Sequence, residues 1–167
     1  MRQDDLKALQ APLKELYRAE PERALVTLTA DAALDDTGIS CRVDTGRALV
    51  EAGLHPATGG TGLEVCSGDL LLQALVACAG VTLRAVATAT GIPVRAGRVY
   101  AEGDLDFRGT LGVSKEAPVG FRAIRLRFEL ESDANAEQLA TLLRLTERYC
   151  VVLQTIRGTP EVDVERG

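Results

Sequence analysis

The sequence predicts an α+β fold, and three stretches carry that reading. "IRLRFELE" at residues 124–131 places Ile124, Leu126, Phe128 and Leu130 on one face and Arg125, Arg127, Glu129 and Glu131 on the other. That period of two belongs to a strand with one wet side. The run from Leu70 to about Val86 is apolar on nearly every side, which suits a helix at the centre of a fold or in a subunit interface. From Ala136 to Leu145, Leu139, Leu142 and Leu143 form the buried stripe of a further helix. Strand blocks alternate with separate helices along the chain, and no internal repeat or linker divides it, which indicates α+β.

Taken in order, Leu6, Leu9, Leu13, Leu16 and Tyr17 recur at helical spacing over residues 3–19, with Pro12 as a kink and Pro21 as the stop. "ALVTLTADAAL" then alternates as a strand, the turn at Asp35–Gly38 leads to "ISCRVDT", and Gly46 separates that from "RALVEAG". A three-strand meander is the simplest arrangement. The Gly- and Pro-rich "LHPATGGTGLEVCSGD" reads as a loop. Ser67 or Asp69 is placed to cap the central helix, and Gly91 with Pro93 ends it. "VRAGRVYAEGDLDF" is expected to be a strand, "RGTLGVSKEAPVG" a loop, "RYCVVLQTIRG" a short helix and "PEVDVE" a last strand. The domain expectation is a helical extension at 1–23 and one folded domain at 24–167.

A chain of 167 residues, 46% hydrophobic and 26% charged, is large enough to bury a sizeable core. A net charge of -5 and the lack of any basic run argue against nucleic acid or an anionic membrane as partner. Gln73, Thr82 and Arg84 interrupt the apolar run, so it is read as a core helix rather than a membrane span, which needs about 20 apolar residues. The charged N-terminal stretch is unlike a signal peptide, so a cytoplasmic location is expected. There the four cysteines meet a reducing medium, in which structural disulfides are rare and transient catalytic ones occur. With no CxxC and one histidine, neither a metal site nor a cofactor is expected.

Cys78 lies inside the apolar run, where a cysteine by itself reads as a small hydrophobe. Its context says more. "CSGDLLLQALVACAGVTLRAVA", preceded by "HPATGG", resembles the OsmC/Ohr family, whose members carry a cysteine in a central buried helix after a Gly-rich loop. The family's second cysteine opens a late helix, an arrangement that "RYCVVLQTIRGTPEVDVE" matches with Cys150. The resemblance covers about residues 24–166. It implies central helices packed between antiparallel sheets in an intertwined homodimer, with the sites at the subunit interface. It also implies a thiol peroxidase that reduces organic hydroperoxides, Cys78 being the attacking thiolate and Cys150 the resolving thiol, recycled by a dithiol reductant.

A thiolate attacks a peroxide oxygen and becomes a sulfenic acid, which a second thiol condenses to a disulfide. Burial in apolar surroundings raises a thiol's pKa, and Cys78 lies far from the N-terminus of its own helix, so its charge requires a partner from elsewhere. By the resemblance that partner is an arginine on an early strand, with Arg42 and Arg47 as candidates, held by a carboxylate. The family's best-known peroxidases carry a glutamate before the helix; counting back from Cys78, that place falls on Gly68, with Asp69 beside it. Asp69 is therefore a candidate to hold the arginine, or a helix cap. The substitution of the glutamate leaves two alternatives, a binding protein of the same fold and a thiol redox sensor. Among the other chemistry-bearing residues, Cys41 reads as packing on a strand, Cys66 as a loop thiol with a lesser claim to redox chemistry, and His55 as a turn residue before Pro56. Arg125 and Arg127 read as the solvated face of a strand.

Overall fold

The computed structural model describes residues 2–5, 8, 11, 19, 32–34, 40–44, 49–112 and 114–166. Residues 3–5, 8, 11 and 19 are helical; the remainder of the helix expected over 3–19, and the strand expected in residues 25–30, lie outside the described residues. Packing divides the chain into two compact units, one made of Met1–Glu15, Ala74–Tyr100 and Leu126–Gly167, the other of Leu16–Gln73 and Ala101–Arg125.

The second of these units holds a four-stranded sheet in the order β1-β2-β3-β4, with β1 Ala32–Leu34, β2 Ser40–Asp44, β3 Leu49–Gly53 and β4 Val65–Cys66. β1, β2 and β3 form the antiparallel meander the sequence predicts, in a register that sets Cys41 opposite both Leu34 and Ala52. The segment read as a plain loop does more than connect. Its 3-10 turn Pro56–Thr58 is followed by β4, which adds to β3 in parallel. Likewise the second expected loop contains a short helix, α2, Phe107–Thr110, whose first turn is capped by the Asp106 carboxylate accepting from the Arg108 N–H.

The long apolar run is α1, Ser67–Thr90. Its last turn closes on Gly91, whose φ of 71° is left-handed, while the Ile92 N–H donates to the Ala87 carbonyl; Pro93 then prevents continuation. By length and composition alone α1 could cross a membrane. Within the chain it buries one stripe, Leu75, Ala79, Leu83 and Ala87, at every fourth position. The expectation of burial all round is therefore corrected for the single chain: Ala74, Ala77 and Val81 lie exposed, Val81 by 73%.

The first unit holds this stripe together with the first half of β5, most of β6 and the later helices. β5 Ala96–Asp104 pairs with β6 Ala123–Glu131, and the Arg95 N–H to Glu131 carbonyl bond sits at one end of the pair. Every second residue of β6 is half-buried, as its period of two predicts. Gly97 is required where it stands, because a Cβ there would fall 2.6 Å from the Glu129 carbonyl oxygen. Arg125 and Arg127 point outward as expected: Arg125 pairs with Glu102 and Asp104, and Arg127 lies over the Tyr100 ring. Helix α3, Ala136–Tyr149, starts on a capping box in which Asn135 and Gln138 exchange side-chain-to-backbone bonds, and it runs four residues beyond the expected end. Leu83, Ala87, Ile92 and Leu142 form the core, against which Phe128, Leu130 and Leu143 pack.

Helix α4, Val151–Arg157, follows directly. Beyond it, residues 159–166 form no strand, against expectation; Val162 and Val164 are exposed by 75% and 93%, and no strand among the described residues pairs with them. Leu142 has no exposed surface, so Leu142→Ala is expected to cost about 2–5 kcal/mol through lost burial and the cavity left behind. Chemical denaturation reads this directly, and Leu139→Ala, at a half-buried position of the same helix, should cost clearly less.

Candidate active site

The site is built where three helices of the first unit meet. α1 contributes Cys78 and, one turn later, Thr82, which share a face because residues four apart on a helix are neighbours. α3 and α4 contribute the corner between them. Cys150 is the single residue between them, the C-cap of one and the N-cap of the next, with an extended ψ of 107°. Its N–H donates to the Thr146 carbonyl, and its own carbonyl accepts from the Gln154 N–H, so the corner is tied into both helices. Two further bonds cross it: the Gln154 side-chain amide donates to the Glu147 carbonyl at 2.7 Å, and Arg157 pairs with the Glu147 carboxylate at 3.0 Å. Cys150 is fully buried and Cys78 half-buried, and both are free thiols.

The geometry brings the two sulfur atoms together. Burial pushes the Cys78 thiol up, but the polar groups beside it outweigh that and set its pKa below the ordinary thiol value: the Val152 N–H, the Cys150 thiol, the Thr82 hydroxyl and the Val151 N–H, each of which favours the charged form. Cys150 moves the other way. Its burial raises the pKa, and donating to a sulfur that carries negative charge raises it further, against the opposing pull of the Leu153 and Val152 amides. The pair is thus polarised, Cys78 as the acceptor that ionises first and Cys150 as the thiol that keeps its proton.

Among the described residues, the Val152 and Val151 N–H groups at the start of α4 help to lower the Cys78 pKa; the side chains of the arginines expected to face it lie outside them. Arg42 stands on β2, its backbone opposite Ala33 and Glu51, and its side chain lies outside the described residues; Arg47 lies outside them altogether. Asp69 sits exposed in the first turn of α1, in the other unit, where a carboxylate complements unpaired helix amides. Gly68 packs beside the Phe121 ring, which would lie 3.3 Å from an added Cβ. Cys66 is half-buried on β4 and lines a cavity of about 350 Å³ with Leu54, His55, Leu105, Phe107 and Phe121. His55 serves the turn, its Nδ1 accepting from the Ala57 N–H while its ring stacks on Phe107. Among the described residues no cluster of histidine, cysteine and carboxylate has the form of a metal site.

Val151, Val152 and Thr82 were not singled out in the sequence. A signal for Thr82 was present, since it stands four residues after Cys78 on a predicted helix. Nothing in the sequence shows that the amides following Cys150 face a cysteine 72 positions earlier.

A mixed α+β chain with a long apolar helix bearing one thiol, and a helix corner bearing the second, defines a class of cysteine-pair proteins. The model of the OsmC-like protein family matches residues 60–165, more than half of the chain, and this chain belongs to that family. Solved structures agree in fold. An OsmC-like protein from Mycoplasma pneumoniae is 17% identical with a TM-score of 0.67, over 80% of this chain and 89% of that one. An organic hydroperoxide resistance protein OsmC from Legionella pneumophila is 20% identical with a TM-score of 0.63, over 81% and 92%. An organic hydroperoxide resistance protein from Elizabethkingia anophelis is 18% identical with a TM-score of 0.65, over 81% and 91%. Comparison with curated proteins gave no significant match.

The polarised pair makes a direct prediction. Alkylation of the reduced protein across a pH series, followed by peptide mass spectrometry, should give Cys78 an ionisation midpoint below the usual thiol value of about 8.5 and Cys150 one above it. Val151→Pro removes one amide at the first helical position, where proline is tolerated after an extended residue. It should move the Cys78 midpoint upward by about one pH unit or less.

Proposed function

We propose that this protein is a thiol peroxidase acting on organic hydroperoxides, with Cys78 and Cys150 as its redox couple. The observation that carries the reading is the placement of a buried Cys150 beside Cys78, where the Cys78 thiol pKa is lowered and that of Cys150 is raised. The Cys78 thiolate attacks one oxygen of ROOH, the O–O bond breaks, and RO⁻ leaves to be protonated as the alcohol. Cys78 is now a sulfenic acid. The Cys150 sulfur attacks it, the S–O bond breaks, and hydroxide leaves with the Cys150 proton as water. A dithiol reductant exchanges with the Cys78–Cys150 disulfide, carrying off two electrons' worth of oxidation as its own disulfide. The reduced pair is restored. The fold likeness to organic hydroperoxide resistance proteins supports the substrate class, as does the apolar face of α1 on which Cys78 lies.

This cycle requires a reducing compartment, in accord with the cytoplasmic location expected from the sequence. It also accords with a homodimer. Ala74, Ala77 and Val81 form an exposed apolar stripe on α1, and Val162 and Val164 are exposed beyond α4, so a second copy of the chain is the proposed cover for them. Val81→Asp should therefore shift the protein toward monomer in sedimentation, while an unchanged sedimentation coefficient on a monomeric wild type would remove the dimer.

A second reading rests on Gly68. Where the family's known peroxidases hold a glutamate, this chain has no side chain. That favours a redox sensor or binding protein in which the disulfide forms without efficient turnover. Consumption of an alkyl hydroperoxide by purified protein with a dithiol separates the readings. The peroxidase predicts saturable turnover that Cys78→Ser abolishes and that Cys150→Ser reduces to about one equivalent of peroxide per chain. A wild type that forms the disulfide but consumes no more than that single equivalent would support the sensor instead.

A further inference from the structure

The second unit holds two cavities of about 170 and 350 Å³ that share a wall, because His55, Cys66, Gly68, Leu105, Phe107 and Phe121 line both. Two glycines keep this space open. Gly103 on β5 lets the Phe121 ring lie directly on the strand, since a Cβ there would fall 2.4 Å from the ring. Gly68 stands in the first turn of α1, where alanine would be the better helix former. A Cβ on Gly68 would sit 3.3 Å from Phe121, 3.7 Å from the Cys66 sulfur and 3.7 Å from Leu105. The side chain that is missing there is thus a space bounded by three others.

The lining sets the chemistry of an occupant. Phe107 and Phe121 present aromatic surface, which favours a second ring in offset or edge contact. Leu105 lines both cavities, with Leu72 in the smaller and Leu54 and Leu71 in the larger. No lysine or arginine lines either one, and Asp69 lines the smaller, so an anion is disfavoured. His55 supplies a directed polar group. Its Nδ1 accepts from the Ala57 N–H at 3.0 Å, so the neutral ring carries its proton on Nε2 as a donor. Stacking on Phe107, with ring centroids 4.8 Å apart, holds the imidazole in place. A mostly apolar cavity with a few convergent polar groups is the usual form of a small-molecule site.

We propose that this cavity binds a small, uncharged aromatic molecule bearing an oxygen acceptor, packed against Phe107 and Phe121, with His55 as its hydrogen-bond donor. The residues that form it all belong to the second unit, whereas Cys78 and Cys150 belong to the first. The site therefore stands apart from the thiol pair and does not rest on the peroxidase reading. Cys66, a free and half-buried thiol in the shared wall, reports on occupancy, because a bound molecule covers its sulfur.

The probe is 1-naphthol, two fused rings with one hydroxyl. Full-length reduced wild type, Gly68→Leu and Gly68→Ala are alkylated with N-ethylmaleimide with and without it, and the rate is read on the Cys66 peptide by mass spectrometry. Wild type should be protected by about fivefold or more at saturation. Gly68→Leu fills the space and should abolish the protection, while Gly68→Ala adds one methyl and should give an intermediate value. Circular dichroism confirms the fold, and alanine decides if leucine does not fold. The 1-naphthalenesulfonate anion, with the same rings, should protect far less. Equal Cys66 rates in wild type with and without 1-naphthol overturn the proposal, as does undiminished protection in the folded Gly68 variants. Protection by the anion equal to that by 1-naphthol overturns the assignment of an uncharged ligand. Neither peroxide nor Cys78 enters this assay, so it and the peroxidase reading fail separately.

Discussion

One sulfur atom, that of Cys78, sets the terms for the rest of this molecule. A half-buried thiolate on an apolar helix is costly unless donors surround it, because burial penalises the charged form. The helix that carries Cys78 offers no free amides at that depth, since its backbone is spent on its own hydrogen bonds. Within a helix, unpaired amides exist only at the N-terminus. The fold supplies one by breaking the late helical segment at Cys150 and restarting it, so that two amides of the new helix face Cys78. The second thiol arrives by the same device, because the residue at the break is itself the cysteine.

The surrounding packing makes sense as support for that placement. Leu75, Ala79 and Leu83 bury the α1 face on either side of Cys78, and Leu142 holds α3 against the same core. The bonds from Gln154 and Arg157 to Glu147 span the corner. An exposed ion pair of this kind contributes little alone, but the Gln154 amide also satisfies a carbonyl in the last turn of α3. Together they resist a change in the angle at Cys150, and that angle aims the amides.

Much of this was legible in the residues. The alternation of Ile124, Leu126, Phe128 and Leu130 gives β6 because a period of two has one structural solution, and Gly91 with Pro93 ends α1 for equally local reasons. The pairing of Cys78 with Cys150 followed from the likeness of two short motifs, not from physics read off the chain. What escaped the sequence is nonlocal. Two of the groups that lower the Cys78 pKa are backbone amides of valines, and a backbone amide leaves no mark in composition or spacing. The arginines expected to balance the charge, Arg42 and Arg47, have side chains outside the described residues. The last segment, "PEVDVE", carries a strand pattern but has no partner strand among the described residues. The full apolarity of α1 is of the same kind: a pattern that a single chain satisfies on one face only.

The central claim is that these two thiols form one redox couple, and peptide mapping under non-reducing conditions tests it most directly. Reduced protein treated with one equivalent of an alkyl hydroperoxide and then blocked should yield a single cross-linked peptide pair joining Cys78 to Cys150, with Cys41 and Cys66 still free. Recovery of Cys78 as an unmodified thiol while another cysteine takes up the oxidation would contradict the account.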